Sequence, residues 1–92
     1  MKQQNIKSLI WDKINFEHIK KHNLSIYEVE QALKDKNRKV FKVKKERYMV
    51  LCKYKNRMLS IIVAMEQKRT YYLVTARDMD KNERNKYRGE NT

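Results

Sequence analysis

Apolar residues recur at two different periods along the chain, and the change of period predicts helices first and strands later. Ile26, Val29 and Leu33 fall three and four positions apart, which is the spacing of one helix face. From residue 48 to residue 54 the period becomes two, so Tyr48, Val50, Cys52 and Tyr54 are expected to share one face of a strand. The predicted order is one short strand, two helices, a run of strands and a last helix.

Capping signals predict where the helices begin and end. Asn15 is expected to cap the first helix, and Asn23, which tolerates a left-handed backbone, is expected to end it. Ser25, with a glutamate three residues later, matches the capping box that begins a second helix. Asp80, also followed by a glutamate at the third position, predicts a last helix that ends near Gly89.

Strands are predicted at residues 9–11, 48–54, 58–65 and 70–76, with a weaker one at 40–43 and turns at 55–57 and 67–69. The segment 58–65 is almost continuously apolar, which is typical of a central strand buried on both faces. The fold class predicted is a single small α+β domain over residues 1–92. It has a mostly antiparallel sheet of three to four main strands, two N-terminal helices and one C-terminal helix, all packed on one face.

The amount and the position of positive charge indicate what kind of partner the protein binds. The net charge is +12, from 23 Lys and Arg against 11 Asp and Glu. Residues 34–57 contain eleven of the basic residues and two acidic ones, a net charge of +9. Such a cluster of positive charge favours binding to a polyanion such as RNA or DNA, or to an acidic protein. The alternative is a solvated basic face that keeps the protein soluble.

Several function classes are not expected from this composition. No apolar run approaches the roughly 18 residues of a membrane span, and the start of the chain lacks a signal peptide pattern. The single cysteine, Cys52, allows no internal disulfide, so a cytoplasmic location and a buried, inert thiol are expected. One cysteine and two histidines form no metal-ligand motif, and one glycine forms no phosphate loop, so no metal or cofactor is predicted.

Short motifs spread over residues 9–88 together resemble the BrnT family of toxins. They are Trp11-Asp12, Lys21-His22, Ser25 with Glu28, Thr75-Ala76-Arg77, Glu83-Arg84 and Tyr87. The resemblance implies a RelE-like fold, ribonuclease activity that inhibits translation, with mRNA as the expected substrate, and neutralisation by a DNA-binding antitoxin of the BrnA kind. Asn23 stands where the family commonly has glycine, and residues 34–47 are more basic than is usual there.

RNA can be cut without a metal when its own 2′-hydroxyl attacks the neighbouring phosphate. The enzyme then needs a base such as His, cations such as Arg or Lys, and a proton donor such as His or Tyr. His22, at the end of the first helix, is a candidate base, although a histidine there also suits the helix dipole. Arg77, expected just past the 70–76 strand, is a candidate phosphate ligand; the alternative is an ion pair with Asp78, Asp80 or Glu83.

Arg84 and Tyr87 complete the candidate catalytic set, because residues three apart on a helix share a face. Tyr87 could instead pack on the sheet. Trp11 is expected in the core. The residues expected to bind RNA are Lys21, Lys42, Lys44, Lys45 and Arg47.

Two other functions are compatible with the charge. One is a non-enzymatic RNA- or ribosome-binding domain, and the other is an interaction module whose basic face docks an acidic protein. A pure binder needs the charge of residues 34–57 but has no use for a histidine, an arginine and a tyrosine brought together.

Overall fold

The computed structural model describes residues 8–67 and 70–89 of the chain. The elements are β1 (Ser8–Ile10), α1 (Lys13–Lys20), α2 (Ile26–Leu33), β2 (Lys39–Lys44), β3 (Arg47–Tyr54), β4 (Arg57–Gln67), β5 (Thr70–Asp78) and α3 (Lys81–Arg88). The strands form one sheet in the order β1-β5-β4-β3-β2, with β1 parallel to β5 and all other pairs antiparallel. The predicted α+β class is confirmed, and the weaker 40–43 segment is a strand.

One face of the sheet carries the main apolar core under α1 and α2. The predicted alternation of β3 is confirmed, because Val50 and Cys52 are buried in this core and Tyr48 and Tyr54 pack against it. The residues that fill it are Ile19, Leu24, Val29, Ala32, Leu33, Val50, Cys52, Leu59, Ile61, Val63, Leu73 and Ala76. The central strand β4 is paired on both sides, as the apolar run of residues 58–65 predicts. Of the predicted 67–69 turn, residues 68 and 69 lie outside the described ranges.

The other face of the sheet is covered by α3, so the expectation that all helices pack on one face is wrong. Ser60 pairs with Leu51 on β3 and with Arg77 on β5, and these three side chains point away from Leu59 and Ile61. The Ser60 hydroxyl lies 3.3 Å from the Glu83 carboxylate of α3. A buried glutamate needs polar partners, and this face of the sheet supplies them.

Helix caps account for the helix boundaries. The Ser25 and Asp80 capping boxes begin α2 and α3 as predicted, and Gly89 ends α3 with a left-handed φ of 77°. The prediction that Asn15 caps α1 is wrong by three residues. Asp12 is the cap: its carboxylate accepts from the Asn15 backbone N–H at 2.9 Å, and the Asn15 amide oxygen accepts from Asp12 N at 3.3 Å.

Trp11, expected in the core, lies at the surface with 42% of its area exposed. It falls in the loop between β1 and the Asp12 cap, and the space above this part of the sheet is taken by Leu9 and Ile19. No helix in residues 8–67 and 70–89 is long and apolar enough to cross a membrane.

Cys52 is predicted to be unreactive in the folded protein. Burial, reinforced by the charge of Asp35, raises the pKa of its thiol to about 12, and the thiolate is the reactive form. At pH 8, a thiol reagent should modify Cys52 only as fast as the protein unfolds, and at once in denaturant. Because Cys52 is the one cysteine of the sequence, the change in absorbance of the thiol reagent reports on this residue alone. Rapid modification of the native protein would contradict its burial.

Candidate active site at one end of the sheet

The candidate site lies at the end of the sheet where β3 and β5 finish and β4 begins. The turn between α1 and α2, residues 21–25, comes to the same end and covers the face that holds the main core. Asp78 and Arg57 are neighbours there, because β5 ends beside the first residues of β4. Several sequence-predicted residues therefore reach one end of the molecule.

Arg57 holds this end together with all three of its guanidinium nitrogens. Its Nε and Nη2 donate to the two carboxylate oxygens of Asp78 at 3.0 and 3.3 Å. Its Nη1 donates to the carbonyl oxygen of Asn23 at 2.7 Å, and Nη2 donates to that of His22 at 2.9 Å. The Glu28 carboxylate lies 3.8 Å away, and the hydrogen bond with Asp78 raises the pKa of Arg57. We call Arg57, Asp78 and the two carbonyls the Arg57 clasp.

His22 stands on the turn that the Arg57 clasp fixes. Asn23 adopts a φ of 59°, the left-handed conformation expected for the residue that ends α1. The backbone of His22 is therefore held on both sides, by Arg57 and by the N–H that it donates to Ile19 O at 2.9 Å. Its imidazole is exposed and makes no hydrogen bond or ion pair with any residue that the structure describes. Lys21 beside it is also exposed.

Arg77 lies within β5 rather than just past its end, and it points to the opposite face from His22. Its Nη1 and Nη2 donate to the two oxygens of Glu83, each at 2.9 Å, and Nη1 also donates to Asp78 O at 3.1 Å. The Glu83 bond raises the pKa of Arg77. The predicted alternative of an ion pair with Glu83 is thus present, yet 43% of the Arg77 side chain stays exposed.

Arg84 and Tyr87 are both held by the protein itself. Arg84 Nη1 donates to the Met79 carbonyl oxygen at 3.0 Å. The Tyr87 hydroxyl donates to Asp35 at 2.6 Å, and the same carboxylate oxygen accepts the backbone N–H of Lys53. Burial, with this hydrogen bond, raises the pKa of Tyr87 well above its usual range. The Tyr87 hydroxyl is therefore committed to Asp35.

The predicted RNA-binding residues divide into two places. Lys21 lies at the candidate site, whereas Lys42, Lys44, Lys45 and Arg47 lie on β2 and the β2–β3 hairpin. All five are exposed. Seven strand steps of about 3.3 Å separate the two ends of β3, so the hairpin lies about 23 Å from the candidate site.

A shallow cleft of about 380 Å³ opens beside the clasp. It is lined by Glu28 from α2 and by Tyr54, Lys55, Asn56 and Arg57 from the β3–β4 turn. It is largely open to solvent, so a ligand would lie on it with one side exposed. In the described ranges, no three His, Cys, Asp or Glu side chains are grouped closely enough to hold a metal ion.

Sequence reasoning missed Arg57, Glu83 and the cleft as parts of the site. Arg57 was assigned to a turn and to the basic segment, and its partners lie 21 and 34 residues away in the chain. Glu83 carried a signal, since it is the third residue of a capping box and one of the acids placed opposite Arg77. The cleft has no signal in a single sequence, because it forms between elements.

Comparison with known proteins supports the resemblance. The family model described as "Ribonuclease toxin, BrnT, of type II toxin-antitoxin system" matches residues 11–83. Among solved structures, the crystal structure of the Brucella abortus ribonuclease toxin BrnT is similar, with a TM-score of 0.65 and 22% identity. The match covers 80% of this chain and 97% of that one, and at this identity it shows a shared fold. Among curated proteins, no sequence matches the chain.

Replacing Arg57 with alanine is predicted to lower the free energy of unfolding by about 2–3 kcal/mol, since hydrogen bonds to charged groups are worth about 1.5–3 kcal/mol net. Arg57→Lys should recover part of this loss, because an ammonium can meet Asp78 but cannot also reach two carbonyls in one plane. Urea denaturation measures both variants. The control is Arg47→Ala, an exposed arginine expected to change stability by less than about 0.5 kcal/mol. Equal stability of the Arg57→Ala and Arg47→Ala proteins would contradict the role of the clasp.

Proposed function

Because this chain belongs to the BrnT family of ribonuclease toxins of type II toxin–antitoxin systems, we propose that it is an endoribonuclease that cleaves mRNA and so inhibits translation. The observation that carries the proposal is an exposed histidine on a turn whose backbone the Arg57 clasp fixes. A surface role for His22 would not need a fixed turn, whereas a proton-transfer group must be held at a defined position.

The proposed reaction uses the 2′-hydroxyl of RNA as the nucleophile. The 2′-oxygen forms a bond to the adjacent phosphorus, and its proton passes to the His22 imidazole. The bond from phosphorus to the 5′-oxygen then breaks, and the leaving oxygen takes a proton from water. The products are a 2′,3′-cyclic phosphate and a 5′-hydroxyl. The ammonium of Lys21, next to His22 in the chain, stabilises the extra negative charge on phosphorus.

Arg77 serves this reaction as a second, preorganised cation. Glu83 fixes the guanidinium through two hydrogen bonds, and the exposed part of the side chain stays open to solvent at the same end of the sheet. A cation that is already oriented loses little freedom when it meets a phosphate. Arg84 donates to the carbonyl oxygen of Met79, the residue after the Asp78 carbonyl that Arg77 binds, and adds positive charge to this part of the surface. Tyr87 is assigned no proton transfer, because its hydroxyl is committed to Asp35.

Neutralisation is assigned to a DNA-binding antitoxin of the BrnA kind in the cytoplasm. A net charge of +12 favours a partner with an acidic surface, since like charges on the free toxin repel one another. Covering the same basic surface that RNA uses would inhibit the enzyme.

His22→Ala is predicted to lower the rate of RNA cleavage by about 10²–10⁴, the range for loss of a proton-transfer group. Arg77→Ala should lower it by about 10²–10³, the range for loss of one charge-stabilising donor. Tyr87→Phe should cleave at nearly the normal rate while being less stable by about 1 kcal/mol. Initial rates on a defined RNA, with EDTA in excess, measure all three, and the product end groups show whether a cyclic phosphate forms.

The matched control is His18→Ala, which removes the other histidine, an exposed residue on α1 one turn before His22. Each variant must have the circular dichroism spectrum of the parent protein. Full activity of His22→Ala would exclude the proposed base. RNA binding with no cleavage by the parent protein would favour the alternative of a non-enzymatic binding domain.

The lysines of the β2–β3 hairpin are predicted to contact RNA phosphates. Changing Lys42, Lys44 and Lys45 to glutamine should reduce the slope of log affinity against log salt by about 2, at about 0.7 per phosphate contact on single-stranded RNA. Titration of a fluorescent, uncleavable RNA at several salt concentrations gives the slope. The matched control changes Lys13, Lys34 and Lys81, three exposed lysines at the ends of the helices, and should leave the slope closer to that of the parent. Equal slopes for the two triple variants would place the RNA elsewhere.

A further inference from the structure

We propose that the cleft beside the Arg57 clasp binds the base of the nucleotide next to the cleaved bond, so that it selects the cleavage sequence. This proposal rests on the proposed function. It is carried by the position of the cleft, by the Tyr54 ring that lines it with Tyr27 packed against that ring, and by an exposed amide and an exposed ammonium on the β3–β4 turn.

The position of the cleft is set by Arg57, which lines it and also binds the His22 carbonyl at 2.9 Å. The side chain of Arg57 therefore joins the cleft to the backbone of His22, the candidate general base. A nucleotide whose phosphate lies at His22 has its base within reach of the cleft.

One tyrosine ring lines the cleft and a second ring packs against it. Tyr54 lines the cleft, and Tyr27 meets the Tyr54 ring edge-on, with 6.1 Å between centroids and an angle of 85°. The side chain of Tyr54 packs against the core, whereas Tyr27 is 60% exposed. Unstacked RNA bases stack on exposed aromatic rings, so this pair offers a base a flat surface beside the cleft.

The β3–β4 turn presents two exposed polar side chains at the cleft. Lys55 adopts a φ of 56°, a left-handed conformation that strains a lysine, and its ammonium lies 5.4 Å from the centre of the Tyr54 ring. Asn56 is exposed, and its amide makes no hydrogen bond within the described ranges. An amide can donate and accept at once, as reading a base edge requires, and an ammonium can hold a phosphate.

Glu28 gives the cleft a hydrogen-bond acceptor. One of its oxygens is committed to the Ser25 cap, while the other lies 3.8 Å from Arg57 and lines the cleft. A carboxylate accepts hydrogen bonds and donates none, so this oxygen can accept an N–H from the Watson–Crick edge of a base. With the Asn56 amide it supplies both kinds of partner that a base edge needs, whereas the exposed hairpin lysines are suited to phosphates.

Binding to the cleft can be tested apart from cleavage. The probes are the four ribonucleoside 3′-monophosphates, titrated into the parent protein and followed by ¹H–¹⁵N NMR. At least one of them should shift the Asn56 side-chain amide and the Lys55 backbone amide. Tyr27→Ala should weaken that binding by roughly tenfold, since base stacking on an aromatic ring is worth that much or more. Because Tyr27 is exposed, its loss should leave the fold intact.

The matched control is Phe16→Ala. Phe16 is 40% exposed and has Lys20 5.9 Å from its ring centre, so it reproduces an exposed aromatic ring beside a lysine on a different surface. This variant should bind the monophosphates as the parent does. Equal weakening by Phe16→Ala and Tyr27→Ala, or no shift at Asn56 with any monophosphate, would overturn the proposal.

Cleavage of a randomised RNA gives the second readout. Asn56→Ala should relax the base preference at one position beside the cut and keep the cleavage chemistry. Cleavage with an unchanged preference in Asn56→Ala and in Tyr27→Ala would overturn the cleft and leave the ribonuclease proposal standing. Monophosphate binding at Asn56 without RNA cleavage would do the reverse, since the cleft would hold a nucleotide and the enzyme proposal would fail.

Discussion

The guanidinium of Arg57 ties together three parts of the chain that are far apart in the sequence: the start of β4, the end of β5 and residues 22–28. It begins β4, and from there it reaches the end of β5 at Asp78, the α1–α2 turn at two carbonyl oxygens, and the vicinity of Glu28 in the α2 cap. Only a planar group with five donors can satisfy partners in these directions at once. The helix pair, the end of the sheet and the exposed His22 therefore share one fixed point.

The ion pair of Glu83 with Arg77 is the second fixed point, and strand geometry puts it on the opposite face of the sheet. Consecutive residues of a strand point to opposite faces, so Asp78 serves the Arg57 clasp while its neighbour Arg77 serves α3. Candidate residues that are adjacent in sequence are thus divided between two faces. In the proposed function, one RNA strand reaches both faces around the end of the sheet, close to both fixed points.

The elements whose signals are local could be predicted from the sequence. Ser25 and Asp80 have their cap partners three residues away, and the alternation of β3 depends on neighbours two residues apart. Trp11 and Arg57 could not be placed in this way. Whether a tryptophan is buried depends on what covers it, and the use of an arginine depends on which strand ends meet. The start of α1 shows that a local signal can also be ambiguous. Asp12 and Asn15 are both good capping residues, and their two mutual hydrogen bonds are formed with Asp12 as the cap.

Because of their distance from the candidate site, the hairpin lysines can contribute to RNA affinity but not to the proposed cleavage step. Charges about 23 Å apart interact weakly at physiological salt, where the screening length is about 8 Å. In the proposed reaction, the lysines of the hairpin are therefore too distant to stabilise the charge that develops on a phosphate near His22. That stabilisation is assigned to cations at the same end of the sheet, where Arg57 is already committed to the clasp. Lys21 and the exposed part of Arg77 are left for that task, one on each face of the sheet.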